Sequence, residues 1–217
     1  MSQIDQVLET MVMTKIQNKS ASEPFSTSMN LKNVDRFGVP KRYFDAGFGD
    51  FPTAFTRELG DIDHEEGYFL TGPSGVGKTH LAVAIMRHWI ASGRADRWQD
   101  NGTWMPIKRT MAMFVSVPEL LDSVRAEFAG GNSIEAVLKY ARQQVLVIDD
   151  LGAEKTSDWT FTTIYSVISK RVNYILPTIV TSNMSIEQIR QWEPRIASRL
   201  SGLKVIIMQG KDKRIKA

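Results

Sequence analysis

A glycine-rich segment of eight residues constrains this chain more than any other feature. This phosphate loop spans residues 72–79 and reads GPSGVGKT, which fits the pattern G-x-x-x-x-G-K-[ST] in full. An apolar stretch that ends at Leu70 comes before it, and a helical pattern of apolar residues follows it. Glycines in such a turn let consecutive backbone N–H groups point inward, so that the loop can bind an anion at the start of a helix. The sequence therefore predicts a phosphate-binding strand–loop–helix unit here.

The phosphate loop contains the side chains that this kind of site needs. Lys78 offers a positive charge for the β- and γ-phosphates of a nucleotide, and the Thr79 hydroxyl can ligate Mg²⁺. A tight strand-to-helix turn with an incidental lysine is the alternative, and the full motif in this context makes it a poor explanation. The residues that we predict to bind nucleotide are Gly72, Pro73, Ser74, Gly75, Val76, Gly77, Lys78, Thr79 and His80.

Two carboxylates follow a continuous apolar run of the chain. Residues 145–148 read VLVI, which is typical of a strand buried on both faces in a parallel sheet, and Asp149 and Asp150 come directly after it. We predict that Asp149 holds Mg²⁺ through water and that Asp150 polarises the attacking water. A role for Asp150 as the cap of the following turn stays open, because Asp is also a favoured turn residue.

Polar residues near two later elements complete the predicted site. Asn183 follows an apolar strand at 178–181, where an amide can orient water and sense the γ-phosphate, although it could also be a simple turn residue. Arg195 and Arg199 are four residues apart on one face of a predicted helix. Such arginines can neutralise transition-state charge in a neighbouring subunit, and solvated surface arginines are the alternative. The predicted catalytic residues are thus Asp150, Asn183, Arg195 and Arg199.

The order of the elements predicts one α/β domain after a short N-terminal segment. Residues 1–18 have the spacing of an amphipathic helix and 19–30 have Ser-rich linker composition, so we divide the chain into 1–30 and 31–217. Alternating strand and helix patterns then indicate a doubly wound parallel sheet, with ligands at the carboxyl ends of its strands. The predicted strands are 68–70, 111–117, 145–148, 178–181 and 205–208. The predicted helices are 77–92, 118–128, 133–142, 159–172 and 193–201, and 94–109 is predicted to be an exposed excursion.

Composition excludes several classes of protein. Of the 217 residues, 42% are hydrophobic and 24% are charged, which is close to the globular average. No apolar run approaches the roughly 18 residues of a membrane-spanning helix, and there is no secretory signal, so we expect a cytoplasmic protein without a membrane partner. The absence of Cys excludes a disulfide scaffold and any thiolate metal site. The net charge of +3 permits nucleic-acid binding without indicating it.

Taken together, these segments resemble the AAA+ ATPases, and more narrowly the bacterial DnaC/DnaI-type replicative helicase loaders. The resemblance covers roughly residues 39–208 and implies a P-loop core with a doubly wound, five-stranded parallel sheet. By position, Asn183 matches the sensor-1 residue of the family, Arg199 its arginine finger and Arg195 the companion arginine. Because the chain stops shortly after the last predicted strand, we expect an AAA+ core without the C-terminal helical lid. The matching segments are VPKRYF at 39–44, GKTHL at 77–81, IDDLGAE at 148–154, LPTIVTSN at 176–183 and residues 195–200.

The resemblance implies a function and partners. It implies an ATPase that binds ATP and Mg²⁺, self-associates in an ATP-dependent oligomer, and loads or remodels a replicative DNA helicase. Single-stranded DNA is a further expected partner, because Tyr140 beside Lys139 and Arg142 offers stacking with positive charge. Solvated side chains are the commoner explanation for residues of this kind and for a basic tail. The helix at 2–18 could bind a partner or pack on its own domain. The basic tail that could contact phosphates consists of Lys204, Lys211, Lys213, Arg214 and Lys216.

Two other functions stay open. The IstB-type transposition helpers share the ATPase core, but they usually carry Asp-Glu where this chain has Asp149 and Asp150, and they lack the LPTI run at 176–179. A nucleotide-gated adaptor would bind ATP as a switch and recruit a DNA enzyme with negligible turnover. Such a switch would not require the combination of Asp150, Asn183 and Arg199.

Overall fold

Strands and helices alternate along the part of the chain for which a computed structural model gives a description. These residues are 34–53, 55–56, 67–91, 97–100, 103–106, 112–129, 133–153, 157–210 and 212. The strands are β1 (Gly67–Thr71), β2 (Arg97–Asp100), β3 (Thr103–Pro106), β4 (Ala112–Ser116), β5 (Val145–Leu151), β6 (Thr178–Ser182) and β7 (Lys204–Ile207). The helices are α1 (Lys78–Ala91), α2 (Val117–Ala129), α3 (Ser133–Ala141), α4 (Asp158–Asn173), α5 (Ile186–Trp192) and α6 (Pro194–Leu200). Among the described residues before β1 there are three 3₁₀ helices, at Val34–Phe37, Lys41–Tyr43 and Phe48–Asp50.

Five of the strands form one parallel sheet in the order β4-β5-β6-β1-β7. The central strand β6 pairs on one side with β1, where Thr71 is opposite Ser182, and on its other side with β5. Because all five strands are parallel, their carboxyl ends meet at one edge of the sheet, which is where ligands bind in folds of this type. The predicted fold class is confirmed.

Apolar side chains cover both faces of the sheet. Alternate residues of the buried strands belong to two separate clusters, so that Tyr68 and Leu70 lie on one face and Phe69 on the other. Helix α1 and the 3₁₀ segments pack on the first face, whereas α2 to α6 contribute to the second. The 3₁₀ segments are thereby fixed beside α1, the helix that begins at the phosphate loop. Among the described helices, none is long and apolar enough to cross a membrane.

The structure corrects one prediction, adds detail to others and leaves some outside its range. Residues 94–109, which we predicted to be an exposed excursion, contain the antiparallel hairpin β2–β3. Helix α5 was not predicted, because its seven residues are too few to show the helical repeat of apolar residues. Tyr140 is only 3% exposed and packs in the core, so the prediction that it stacks on single-stranded DNA is wrong. The predictions for residues 1–30 and for Lys211, Lys213, Arg214 and Lys216 lie outside the described residues.

A fully buried arginine connects the loops at the other edge of the sheet, before β5 and β6. Arg171, near the end of α4, is completely inaccessible, and burial lowers its pKa to about 9. The guanidinium is therefore still charged at neutral pH. Since the carbonyls at the end of a helix carry partial negative charge, α3 offers it a favourable environment. Its acceptors are Thr178 Oγ1 at 2.9 Å and the carbonyl oxygens of Tyr140 (3.3 Å), Ala141 (3.2 Å), Gln143 (2.6 Å) and Pro177 (2.8 Å).

Candidate nucleotide site

The phosphate loop joins β1 to α1 at the carboxyl edge of the sheet. Gly72 has a φ of +146°, and a Cβ atom there would overlap the carbonyl of Met208, which follows β7. A Cβ atom on Gly75, whose φ is +77°, would overlap the carboxylate of Asp212. Only glycine fits at position 72, because the backbone leaving β7 returns across the loop, and the positive φ favours glycine at position 75.

Lys78 places its ammonium group between the loop and the neighbouring strand. The residue is 7% exposed, and Nζ donates to the carbonyls of Gly72 at 2.8 Å and Pro73 at 2.7 Å. Its third acceptor is Oδ1 of Asn183, at 2.7 Å, just beyond the end of β6. A phosphate that enters the loop would compete with these neutral acceptors, and charge favours the phosphate.

Asp149 lies within β5 and faces both the loop and β6. Its Oδ2 accepts from Thr79 Oγ1 at 3.3 Å, and its Oδ1 accepts from Thr181 Oγ1 at 2.7 Å. Burial raises the pKa of Asp149 above its ordinary value, and the two hydroxyl donors partly oppose that shift. A cation in front of this carboxylate would favour its ionised form.

Asp150 occupies an irregularity in the pairing of β5 with β6. The register shifts between Ile148 and Leu151, and Asp150 has a φ of +63°, which is rare for a residue other than glycine. Its backbone N–H donates to Thr181 Oγ1 at 2.9 Å, and its Oδ1 accepts from Asn183 Nδ2 at 3.4 Å. Asp150 thus lies in a strand, with its carboxylate turned toward Asn183.

A cleft of about 440 Å³ opens at these residues. Its far side is an N-terminal wall formed by Arg42, Tyr43, Asp50 and Phe51. His80 Nε2 lies 2.7 Å from Asp50 Oδ2, and this hydrogen bond lowers the pKa of Asp50. The remaining lining residues are Ser74, Gly75, Gly77, Lys78, Thr79, His80, Asp149, Asp150, Thr181 and Asn183.

Three of the predicted nucleotide-binding residues do not line the cleft. Gly72 and Pro73 contribute carbonyl oxygens to Lys78, and Val76 is buried in the core. Thr79 and Asp149 provide a hydroxyl and a carboxylate side by side, a donor pair that suits a hard cation. The described residues include no group of three or more His, Cys, Asp or Glu side chains that could hold a metal ion without a ligand's help.

The two predicted arginines lie outside the cleft of their own chain. They line a second, shallow depression beside Tyr165, together with Pro194 and Ser198. Arg199 Nη2 donates to the Tyr165 hydroxyl at 3.4 Å, and Arg195 Nε donates to Glu193 Oε1 at 2.9 Å. Both guanidinium groups lie within 6 Å of the Tyr165 ring centre, at 5.4 and 5.9 Å.

Comparison with known families decides the classification. The family model for the IstB-like ATP binding protein matches residues 56–198, which is more than half of the chain. The chain belongs to this family. The match includes the phosphate loop, both aspartates of β5, Asn183 and Arg195, and it ends one residue before Arg199.

Relatives of this IstB-like protein carry two kinds of name. The insertion sequence IS5376 putative ATP-binding protein of Geobacillus stearothermophilus is 28% identical over 127 residues, which cover 58% of this chain and 44% of the relative. The replicative helicase loader DnaI of Bacillus subtilis is 25% identical over 139 residues, 64% of this chain and 40% of the relative. This chain thus spans less than half the length of either relative.

Solved structures show the same fold. The crystal structure of the DnaC helicase loader superposes with a TM-score of 0.57 at 24% identity, and the match covers 78% of this chain and all (100%) of that one. The chain is therefore an IstB-like ATP-binding protein with the AAA+ P-loop fold.

The sequence analysis matched residues 39–44 to the family but did not place Arg42 or Tyr43 at the nucleotide cleft, and it did not single out Asp50, Phe51 or Thr181. Arg42, Tyr43, Asp50 and Phe51 precede β1, and no local pattern indicates that this segment returns to the loop. Thr181 is the penultimate residue of the buried strand β6. A polar residue at the carboxyl end of such a strand is the sequence signal that could have identified it as a site residue.

Thr181→Val should destabilise the protein although the two side chains have nearly the same shape. It removes the donor to Asp149 Oδ1 and the acceptor of the Asp150 N–H, so we expect a loss of about 2 kcal/mol in the free energy of unfolding. Urea denaturation measures it. Thr162→Val on the exposed face of α4 is the matched control and should change stability by less than about 0.5 kcal/mol. Equal effects of the two variants would contradict the assigned role of Thr181.

Proposed function

We propose that this IstB-like protein is a helicase-loader-like ATPase, which binds ATP with Mg²⁺ and couples its hydrolysis to work on a replicative DNA helicase. The observation that carries the proposal is the convergence of Lys78, Asp150 and Asn183 at one cleft. Asn183 accepts from the Lys78 ammonium at 2.7 Å and donates to the Asp150 carboxylate at 3.4 Å. The Asn183 amide thus links Lys78, the proposed phosphate-binding cation, to Asp150, the proposed base for water.

The residues around the cleft have separate roles in this proposal. The backbone N–H groups of the phosphate loop and Lys78 bind the phosphate chain. Thr79 and Asp149 would hold Mg²⁺, which would offset the negative charge of the phosphates. Asp150 accepts a proton from water as the water oxygen bonds to the γ-phosphorus, and the bond from that phosphorus to the bridging oxygen breaks to leave ADP. Asn183 orients the water.

Self-association would complete the site. Arg199 and Arg195 line a depression of their own chain that is separate from the nucleotide cleft. We propose that this depression faces the cleft of an adjacent copy in an ATP-dependent oligomer, where Arg199 neutralises charge on the transferred phosphoryl group. The hydrogen bond to Tyr165 would hold the arginine extended before the subunits meet.

Arg199→Ala is expected to keep ATP binding and to lower ATP turnover by about a hundredfold or more. Turnover is measured as phosphate release at saturating ATP, and affinity is measured separately. Mixing this variant with Lys78→Ala should restore part of the turnover, because Lys78→Ala subunits still carry Arg199 for a neighbour's intact cleft. Arg190→Ala on the exposed side of α5 should behave as wild type. Full turnover of Arg199→Ala on its own would contradict the proposal.

The replicative helicase is the partner that we propose first. The relationship to a protein named replicative helicase loader supports it, and the residues needed for turnover are present together. Single-stranded DNA would promote assembly. Phosphate release should therefore rise when single-stranded DNA is added, and the full chain should retain a replicative helicase in a pull-down, more strongly than a chain that lacks residues 1–30.

A transposition helper is the second candidate. The matching family model and the relative from insertion sequence IS5376 favour it. The same pull-down with a transposase in place of the helicase separates the two candidates. A nucleotide-gated adaptor would be favoured over a loader by two results together. The chain would retain the transposase and not the helicase, and DNA would not change the rate of ATP turnover.

A further inference from the structure

The positive charges of the cleft come from two residues. Of its lining residues within the described chain, only Arg42 and Lys78 are lysine or arginine, whereas Asp50, Asp149 and Asp150 are carboxylates. Asp50 already has His80 as its partner. A triphosphate brings several further negative charges into this cleft, so every cation in it matters for binding.

The two cations differ in what they contact. Lys78 is buried, and its ammonium group donates to three acceptors. Arg42 is exposed, and its guanidinium lies 4.7 Å from the centre of the Tyr43 ring. Within the described residues, no carboxylate or carbonyl forms an ion pair or hydrogen bond with it. Its planar set of N–H donors is thus available for a ligand, and such a set fits two oxygens of one phosphate.

The segment that carries Arg42 is anchored to the helix that carries Lys78. The 3₁₀ helix Lys41–Tyr43 is followed by Ala46, whose carbonyl accepts from Arg87 Nη1 of α1 at 2.6 Å. Val39 and Phe51, on either side of it, are buried in the cluster that includes α1. These contacts fix the backbone of Arg42 beside α1, at the cleft.

Arg42 lines the same cleft as the residues that are proposed to act at the terminal phosphate. Those residues are Asp150 and Asn183, with Thr79 and Asp149 on the proposed metal side. Asp149 accepts from Thr79, the hydroxyl that follows Lys78 in the phosphate loop. The exposed guanidinium of Arg42 therefore shares one cleft with these groups.

We propose that Arg42 is a second phosphate-binding cation in its own chain and that it contacts the terminal phosphate of a nucleoside triphosphate. This inference rests on the proposed ATP binding and adds a residue that distinguishes ATP from ADP. The ring of Tyr43 holds the guanidinium over the cleft before the nucleotide arrives. The pair Arg42 and Lys78 then supplies charge without any group from an adjacent copy.

Arg42→Gln tests the assignment, and Lys41→Gln is its matched control. Lys41 is the preceding residue, is exposed, has the same charge and does not line the cleft. We expect Arg42→Gln to weaken binding of the non-hydrolysable ATP analogue adenylyl imidodiphosphate roughly 10- to 100-fold, as the loss of a charge-assisted hydrogen bond predicts. Binding of ADP should weaken less than about threefold, and Lys41→Gln should leave both affinities within about twofold. Titration calorimetry with Mg²⁺ present measures them.

Each outcome of this titration bears on one claim. Unchanged affinity of Arg42→Gln for the ATP analogue, or an equal loss for the analogue and ADP, would overturn the contact with the terminal phosphate. Arg42→Lys, which keeps the charge but not the planar donors, should fall between wild type and Arg42→Gln. A wild-type protein that binds neither nucleotide would overturn the proposed function together with the role of Arg42. Thermal unfolding of the variants should match wild type, since the side chain is exposed.

Discussion

Lys78→Ala should abolish measurable ATP binding, with an affinity at least about a hundredfold weaker than that of wild type. The ammonium group is the buried cation of the phosphate loop, and it would exchange neutral acceptors for phosphate oxygens. Loss of two charge-assisted hydrogen bonds, at about 1.5 to 3 kcal/mol each, corresponds to this factor or more. Titration calorimetry of the purified variant measures it.

Two controls separate this effect from a general loss of structure. Lys170→Ala removes an exposed lysine near the end of α4 and should bind ATP as wild type does. Circular dichroism should show that Lys78→Ala remains folded, because the change leaves Asn183 its contact with Asp150. Wild-type affinity in folded Lys78→Ala would rule out the nucleotide cleft as the ATP site.

Arg171→Met should cost about 4 kcal/mol of the free energy of unfolding, the largest stability effect that we expect from one substitution. Methionine fills a similar space but removes the guanidinium donors to four carbonyls and to the Thr178 hydroxyl. The carbonyls of Tyr140 and Pro177 keep the backbone N–H donors of Gln143 and Leu146, whereas the bonds from Arg171 to Ala141 and Gln143 are lost. Urea denaturation, with the slope compared between variants, measures the change.

Arg190→Met is the matched substitution at the surface, on the exposed side of α5, and should change stability by less than about 0.5 kcal/mol. A change below about 1 kcal/mol for Arg171→Met would mean that water satisfies the carbonyls instead. In that case the buried guanidinium would not be needed to hold the loops before β5 and β6 together.

The parts of the fold that depend on local sequence were predictable. The phosphate loop needs glycines within eight residues, and the central strands are continuous apolar runs because both faces of the sheet are covered. Asp149 and Asp150 followed from their place directly after such a run. The direction in which Asp150 points was not predictable, because its positive φ results from the pairing irregularity with β6.

The remaining features depend on contacts between distant segments. Arg171 has the spacing of an ordinary helix residue, and its burial follows from the way α3, α4 and β6 converge. Arg42 approaches Lys78 only because the 3₁₀ segments pack on α1. Tyr140 was assigned to the surface by its charged neighbours, yet it lies on the inner side of α3. In each case the sequence specifies the residue type, while its surroundings come from elements far away in the chain.

The return of the chain across the phosphate loop has a practical consequence. Asp212 reaches the loop at Gly75, and the carbonyl of Met208 closes over Gly72. Position 212 therefore lies beside Gly75, which is one of the residues that line the cleft. Since the sequence contains no cysteine, a single thiol introduced at position 212 could be labelled uniquely with a dye, which would give an optical readout of nucleotide exchange.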